Sequence, residues 1–192
     1  NGSYSAQKTS NIRLSIHGQI FEYCWDPNFV RKPNPEPDAR ELFYKLKELF
    51  DEAGIKFALV YGSLLGAVRE KGLIKGDTDM DICVWDEEQL RNNLISLQKK
   101  GLDIFKIIPG SVYGFRINKS FYIDVYILKE LQGWRKLLYG KSCISLCGYI
   151  TPRKFFQGWD EVDFFDIKCR CPSNPEKLLE FWYGPDWRIP QD

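Results

Sequence analysis

Read by the spacing of its apolar positions, the chain alternates helix-like with strand-like stretches after a polar, aromatic and proline-punctuated start. Residues 1–37 run polar, turn aromatic at Phe21, Tyr23 and Trp25, and are then broken by Pro27, Pro33, Pro35 and Pro37. Proline has no amide hydrogen to give a helix and drives its predecessor toward extended backbone. This stretch is therefore expected to be an extended N-terminal arm whose aromatics dock on a body formed by residues 38–192. The one histidine, His17, falls in the arm between Ile16 and Gly18. That context favours a surface or strand position over a catalytic one.

In the body, Leu42, Phe43, Leu46, Leu49, Phe50 and Ala53 recur at helical spacing, with Asp38 and Glu41 as a capping box and Gly54 as the stop. An apolar strand over 56–61 breaks at Gly62-Ser63, and 63–70 reads as a helix with small residues in its first turn. Asp77, Asp79 and Asp81 follow at every second position, and 82–85 continues as a strand. Asp86 caps a helix running to Lys100, with Leu90, Leu94 and Leu97 as its buried stripe and Gly101 as its end. Strands are expected over 104–108, 112–118 and 121–128, the last two joined as a hairpin through Asn118-Lys119-Ser120. Residues 133–150 show no assignable period, and 151–171 alternates aromatic and charged residues as irregular strands do. A final short helix opens at Ser173, Pro175 and Glu176 and carries Leu178, Leu179 and Trp182 on one face. Helices interleaved with strands in this way predict an α+β fold, a mixed sheet flanked by helices.

Composition narrows the class. The chain has 192 residues, 44% of them apolar, enough for one domain with a real core. Its 27 basic and 26 acidic residues nearly cancel, so no global field recruits nucleic acid, and an anionic ligand needs a local site. No apolar run approaches the roughly 20 residues of a membrane span, and residues 1–11 lack the regions of a signal peptide. Met80 is the sole methionine, so Asn1 is not expected to be a translation start. A preceding signal, anchor or partner domain is left open, as is the compartment. Cys143 and Cys147, with Cys169 and Cys171, form CxxxC and CxC pairs, but their spacing is not a strong zinc signature. Apolar neighbours such as Ile144 and Leu146 favour ordinary buried thiols over zinc or a disulfide.

The candidate chemistry lies between Phe57 and Cys83. Asp79 and Asp81 are two apart, so in a strand their carboxylates leave the same face while Met80 and Ile82 enter the core. In the later apolar strand, Asp124 is flanked by Ile123 and Val125, a placement that calls for a reason, and it shares a face with Tyr122 and Tyr126. On a neighbouring strand it would complete a triad. Carboxylates about 4 Å apart repel by roughly 4 kcal/mol per pair at an effective dielectric of about 20. Such a cluster calls for cations, and all-oxygen ligands favour Mg2+ or Mn2+, two ions in a phosphoryl-transfer site. Gly62 and Ser63, at the start of a helix, would hold a nucleotide phosphate through amides and a hydroxyl, and Arg69 would clamp another phosphate oxygen. Tyr61 and Trp85 could stack on a base or sugar, though such residues are more often core.

In this order, Gly62-Ser63, the alternating Asp77, Asp79 and Asp81, and a later Asp124 resemble the nucleotidyltransferase superfamily. The run YGSLLGAVREKGLIKGDTDMDI resembles the LicD family, which includes the fukutin-related proteins, through Gly62, Ser63, Leu65, Gly66, Arg69, Gly72, Ile74, Asp77, Asp79 and Asp81. The closing Tyr183-Gly184 with Trp187 is similar to the family's YGxxW. The chain departs from the family's pattern at Ser63, where Thr is usual, at Lys75-Gly76 in place of Pro-Trp, and at Thr78 in place of Asp. Losing the tryptophan bears on the acceptor rather than on the chemistry.

The resemblance implies a nucleotidyltransferase-like sheet with Asp79, Asp81 and Asp124 as metal ligands and Asp77 as an auxiliary one. It further implies transfer of a phospho-alcohol, such as phosphocholine or ribitol phosphate, from a CDP-linked donor to a glycan or glycolipid acceptor with release of CMP. Two rivals are transfer of a nucleoside monophosphate and a non-catalytic glycan- or partner-binding module on the same scaffold. The residues by themselves argue only for metal-assisted chemistry at a nucleotide phosphate.

Overall fold

The computed structural model describes residues 10–16, 18–25, 36–117 and 121–190. Where an extended arm was expected, the chain opens with two antiparallel strands, β1 (Ser10–Ile16) and β2 (Gln19–Trp25), registered from Ser10 against Trp25 to Ile16 against Gln19. The reason is period-two alternation. Ile16, Phe21 and Tyr23 are buried on one face while Arg13 and Glu22 form an ion pair on the other. His17, the side chain of Trp25, and Pro27, Pro33 and Pro35 lie outside the described residues.

Helix α1 (Glu36–Glu52) begins before Asp38, with Pro37 in its first turn, where a missing amide costs nothing. It buries the predicted stripe, Leu42, Phe43, Leu46, Leu49 and Phe50. Strand β3 (Phe57–Leu59) is shorter than predicted, because the chain turns at Val60 and helix α2 (Tyr61–Glu70) already contains Tyr61 and Gly62. Then come β4 (Asp79–Val84) and α3 (Glu87–Lys99), the latter capped as expected, the Asp86 carboxylate accepting from the Gln89 amide at 2.8 Å. Strands β5 (Asp103–Ile108), β6 (Val112–Arg116) and β7 (Tyr122–Glu130) follow. The predicted loop Asn118-Lys119-Ser120 lies outside the described residues.

The unassigned stretch resolves into α4 (Gly133–Tyr139), a 3-10 turn (Gly140–Ser142), β8 (Cys143–Leu146) and β9 (Tyr149–Pro152). The aromatic and charged stretch forms the hairpin β10 (Trp159–Phe164) and β11 (Ile167–Pro172), after which α5 (Pro175–Tyr183) ends at Gly184. Among the described residues no helix is long and apolar enough to cross a membrane.

The main sheet runs β3-β4-β7-β6-β5, with β8 continuing from β7 and β9 from β8. Its β4–β7 pair is parallel, and the others are antiparallel. This makes the mixed sheet of an α+β fold. Met80, Ile82, Val84, Ile123, Val125 and Ile127 join α1 and α3 in the principal core. A smaller core centred on Ala58, Val60, Cys83 and Leu146 is covered by Tyr61, Tyr126, Phe156, Trp159 and Trp182. The six cysteines are free thiols.

Candidate active site

Parallel pairing of β4 with β7 sets Asp81 level with Asp124, and Asp79 level with Tyr122. Because strand side chains alternate, Asp79, Asp81, Asp124 and Tyr126 share one face while their neighbours fill the principal core. Continued sideways, the same row reaches Gly114 on β6 and Lys106 on β5. The Lys106 ammonium crosses this glycine to Asp124, 2.6 Å from one carboxylate oxygen and 2.8 Å from the other. A Cβ on Gly114 would lie 2.7 Å from the Phe105 ring and 3.0 Å from the Lys106 Cβ, so the close passage requires glycine.

The start of α2 is fastened to Asp81 from three sides. The Gly62 amide donates to its carboxylate at 3.1 Å, the Ser63 hydroxyl accepts from its amide at 2.8 Å, and its carbonyl accepts from the Val60 amide at 3.1 Å. Tyr61, in the left-handed region at φ 44°, makes the turn that brings this helix end over the sheet. Tyr126 donates its hydroxyl to Asp81 at 3.2 Å. Burial and the charges of Asp79, Asp124 and Asp77 push the Asp81 carboxyl up to about 8, and the bond from Tyr126 offsets only part of this. Burial first, and then Asp81 and Asp124, push the Tyr126 phenol up, so it stays a donor.

Beside Asp81 a cavity of about 450 Å³ is lined by Tyr61, Gly62, Asp77, Asp81, Tyr126, Cys147, Tyr149, Trp182 and Tyr183. Tyr61 is its hub, with ring centroids 4.6 Å from Trp182, 5.4 Å from Tyr126 and 6.0 Å from Tyr149. The Tyr61 hydroxyl donates to the Leu146 carbonyl at 3.0 Å, and the Trp182 indole to the Thr151 hydroxyl at 3.3 Å, so both rings are anchored at their polar ends. A half-open, aromatic, acidic cavity of this kind can take a planar base or a sugar beside a charged phosphate.

Not every predicted residue faces this space. Asp79, Asp81 and Asp124 share a face, and Asp77 and Gly62 line the cavity. Ser63 is fully buried, and its hydroxyl oxygen serves the Asp81 amide, so it positions the acidic strand rather than presenting an open phosphate ligand. Arg69, at the far end of α2, lies 3.4 Å from Glu70 and does not line the cavity. Trp85 is also elsewhere, stacked on Trp159 at 4.5 Å. Lys106, Tyr126, Tyr149 and Trp182 carried no assigned role in the sequence, and a glycine in mid-strand at Gly114 was the one local sign of the Lys106 passage.

The chemistry of the donor set is that of a hard divalent ion. It consists entirely of carboxylate oxygens, burial and then the neighbouring carboxylates have raised Asp81, and a Cβ on Gly62 would come 3.1 Å from Asp81 and 3.3 Å from Asp77, so the glycine keeps the acidic cradle open. Among the described residues, no three acidic, cysteine or histidine side chains converge on one point, and Lys106 stands against Asp124 as the local cation.

The family model described as the LicD/FKTN/FKRP nucleotidyltransferase domain matches residues 54–174. Human ribitol-5-phosphate transferase FKTN is 25% identical over 180 residues, 89% of this chain and 38% of that protein. Mouse ribitol 5-phosphate transferase FKRP is 22% identical over 196 residues, 94% of this chain and 37% of that protein. The chain thus spans under two fifths of the length of these relatives. An uncharacterised protein of Rickettsia typhi is 26% identical over 90% of this chain and 56% of its own. The solution structure of the antibiotic-resistance factor ANT(2'')-Ia superposes with a TM-score of 0.51 at 13% identity, covering 81% of this chain and 76% of that one, a likeness of fold. With more than half of its residues inside the matched domain, and that domain containing the acidic strand, the Gly62-Ser63 turn and Asp124, the chain belongs to the LicD/FKTN/FKRP nucleotidyltransferase-domain family.

Proposed function

We propose that the protein is a divalent-cation-dependent phosphotransferase. It moves a phospho-alcohol, such as ribitol phosphate, phosphocholine or glycerol phosphate, from a CDP-linked donor to a hydroxyl of a glycan or glycolipid, releasing CMP. The observation that carries this reading is the level placement of Asp81 and Asp124 on paired parallel strands, with Asp79 on the same face and an aromatic cavity beside them. Relatives named as ribitol-5-phosphate transferases support the choice of transferred group.

Asp79, Asp81 and Asp124, with Asp77 beside them, would hold Mg2+ or Mn2+. When bound, such ions withdraw charge from a phosphoryl group and acidify a hydroxyl. The chain's own residues supply the rest. Tyr61, Tyr149, Trp182 and Tyr183 form walls against which the donor's base and sugar can pack. Gly62 keeps the backbone close to the acidic strand, and Tyr126 orients the Asp81 carboxylate by its hydrogen bond. Lys106 fixes Asp124 and brings positive charge toward the transferring phosphate. In the reaction an acceptor oxygen forms a new bond to the donor's distal phosphorus, the bond from that phosphorus to the CMP oxygen breaks and CMP leaves with the bonding pair. The acceptor hydroxyl's proton passes to a carboxylate of the acidic face and on to water.

The test is Asp81→Asn, which keeps the shape and removes the ionisable oxygen that would bind the cation. With CDP-ribitol and Mg2+, CMP release should fall by more than about 100-fold, the scale on which a single preorganised charged group is felt. Circular dichroism should stay unchanged. Full activity in the variant would rule the assignment out. Pyrophosphate released from CTP, without CMP from CDP-ribitol, would mark a nucleotidyl transferase instead.

A further inference from the structure

Charge is segregated along this nearly neutral chain. Residues 129–157 hold six basic residues and one acidic one, while the remainder holds 21 basic and 25 acidic. Inside the basic stretch, α4 leaves Leu137 89% and Leu138 67% exposed, with Tyr139 40% exposed. Seven residues are too few for a helix to persist on propensity alone, and two leucines in water add nothing to its stability.

Beside these leucines, Lys136 and Lys141 line a second cavity of about 570 Å³ with Arg153, Glu130 and Gln157. Its one carboxylate, Glu130, is matched by the Arg153 guanidinium, so the two lysines leave the rim positive. Arg135 ties α4 to the body by donating to the Gly148 carbonyl at 3.0 Å. Gly148 lies between Cys147 and Tyr149, both in the wall of the acidic cavity, and Tyr149 is itself 69% exposed. The apolar, basic face and the mouth of the candidate active site therefore meet at one turn.

Exposed leucines flanked by lysines, with a tyrosine at the boundary, are the chemistry of a helix lying in the interface of an anionic bilayer. The leucines enter the acyl boundary, and the ammonium groups meet headgroup phosphates. We propose that α4, with Lys136 and Lys141, docks the protein on an anionic lipid surface and so presents the acidic cavity to acceptors carried by that membrane. The docking stands on the α4 face alone. Its consequence for acceptor choice, a glycolipid over a soluble glycan, rests on the phosphotransferase reading.

The experiment is co-sedimentation of the 192-residue chain with vesicles of phosphatidylcholine alone or mixed with phosphatidylglycerol. The protein should pellet with the mixed vesicles, weakly with neutral ones, and less as salt rises. Leu137→Ser with Leu138→Ser, and separately Lys136→Glu with Lys141→Glu, should each weaken binding roughly tenfold or more. Their melting temperatures should not move, because these side chains are in solvent. Asp81→Asn should bind vesicles like the parent protein, so a failed activity assay and a failed docking surface read out separately. A parent protein left in the supernatant would overturn the proposal, as would leucine and lysine variants that pellet undiminished. Self-association that Leu137→Ser with Leu138→Ser abolishes, without vesicle binding, would assign the face to a second copy of the chain.

Discussion

At Asp81, burial and three neighbouring carboxylates act in the same direction, and the acid is pushed up to about 8. An unfolded aspartate releases its proton near pH 4. Between about pH 4 and 8 the folded chain therefore holds a proton there that the unfolded chain has lost. A state that binds more protons gains as pH falls, so this group's contribution to stability declines as pH rises through that window. Melting temperatures measured across it should fall with rising pH, and Asp81→Asn should flatten the slope. Added Mg2+ should raise the melting temperature most near pH 8, where it no longer competes with a proton. An unaltered slope in the variant would remove Asp81 as its source. Gly114 is felt through space instead of charge. Gly114→Ala puts a methyl 2.7 Å from the Phe105 ring and against Lys106. It should cost about 1–3 kcal/mol, read by urea unfolding, the usual penalty of overpacking.

Among the elements, α2 is held at both ends and in its middle. Its N-terminus is fastened to β4 through Gly62 and Ser63, and beyond its C-terminus the Lys71 carbonyl accepts from the Phe165 amide at 2.7 Å, locking it to the β10–β11 turn. Midway, a Cβ on Gly66 would stand 2.3 Å from the Gly72 carbonyl oxygen and 3.0 Å from the Ile74 amide nitrogen. Alanine is the better helix former by about 1 kcal/mol, so propensity alone would have Gly66→Ala stabilise the protein. The contact decides otherwise. The variant should melt lower, and donor turnover should fall with it, because the 72–77 connection that α2 meets leads directly into the acidic strand.

On the scale of the whole molecule, the N-terminal hairpin is part of the core. Phe21 is 1% and Tyr23 6% exposed, Tyr23 reaches the Ile107 carbonyl at 3.5 Å, and Gln98 donates to the Glu22 carbonyl at 3.1 Å. Phe21→Ala should therefore cost about 3–5 kcal/mol, as an emptied aromatic core site does. A loss under about 1 kcal/mol in chemical denaturation would make the hairpin an ornament. The acidic residues themselves stand on β7 and β4, two and three strands from the β5 edge that the hairpin meets, so this variant should change stability far more than turnover at temperatures where the protein stays folded.

What the sequence determined by itself is whatever depends on near neighbours along the chain. The stripe of α1, the Asp86 cap and Leu90, Leu94 and Leu97 of α3, the alternation that puts Asp79 and Asp81 on one face, and the proline start of α5 are all set within a few turns or residues. The solitary acid between Ile123 and Val125 even marked Asp124 for the neighbouring strand, because an aspartate among core residues needs a partner. Tertiary structure decided the rest. Burial of Met80, Ile82 and Val84 against the same core as Ile123, Val125 and Ile127 sets the level of Asp81 with Asp124, a register between strands some 43 residues apart. Lys106 reaches Asp124 only over Gly114, and the cavity draws Tyr61, Tyr126, Tyr149 and the Trp182-Tyr183 pair from four elements. The tie between α4 and the cavity turn escaped the sequence for the same reason, whereas the alternation of Ile12, Leu14 and Ile16 with Phe21 and Tyr23 was a local sign of the β1–β2 pair that the prolines after it obscured. Pairing across a sheet and packing between elements depend on which surfaces are hidden from water together, and no local pattern records that.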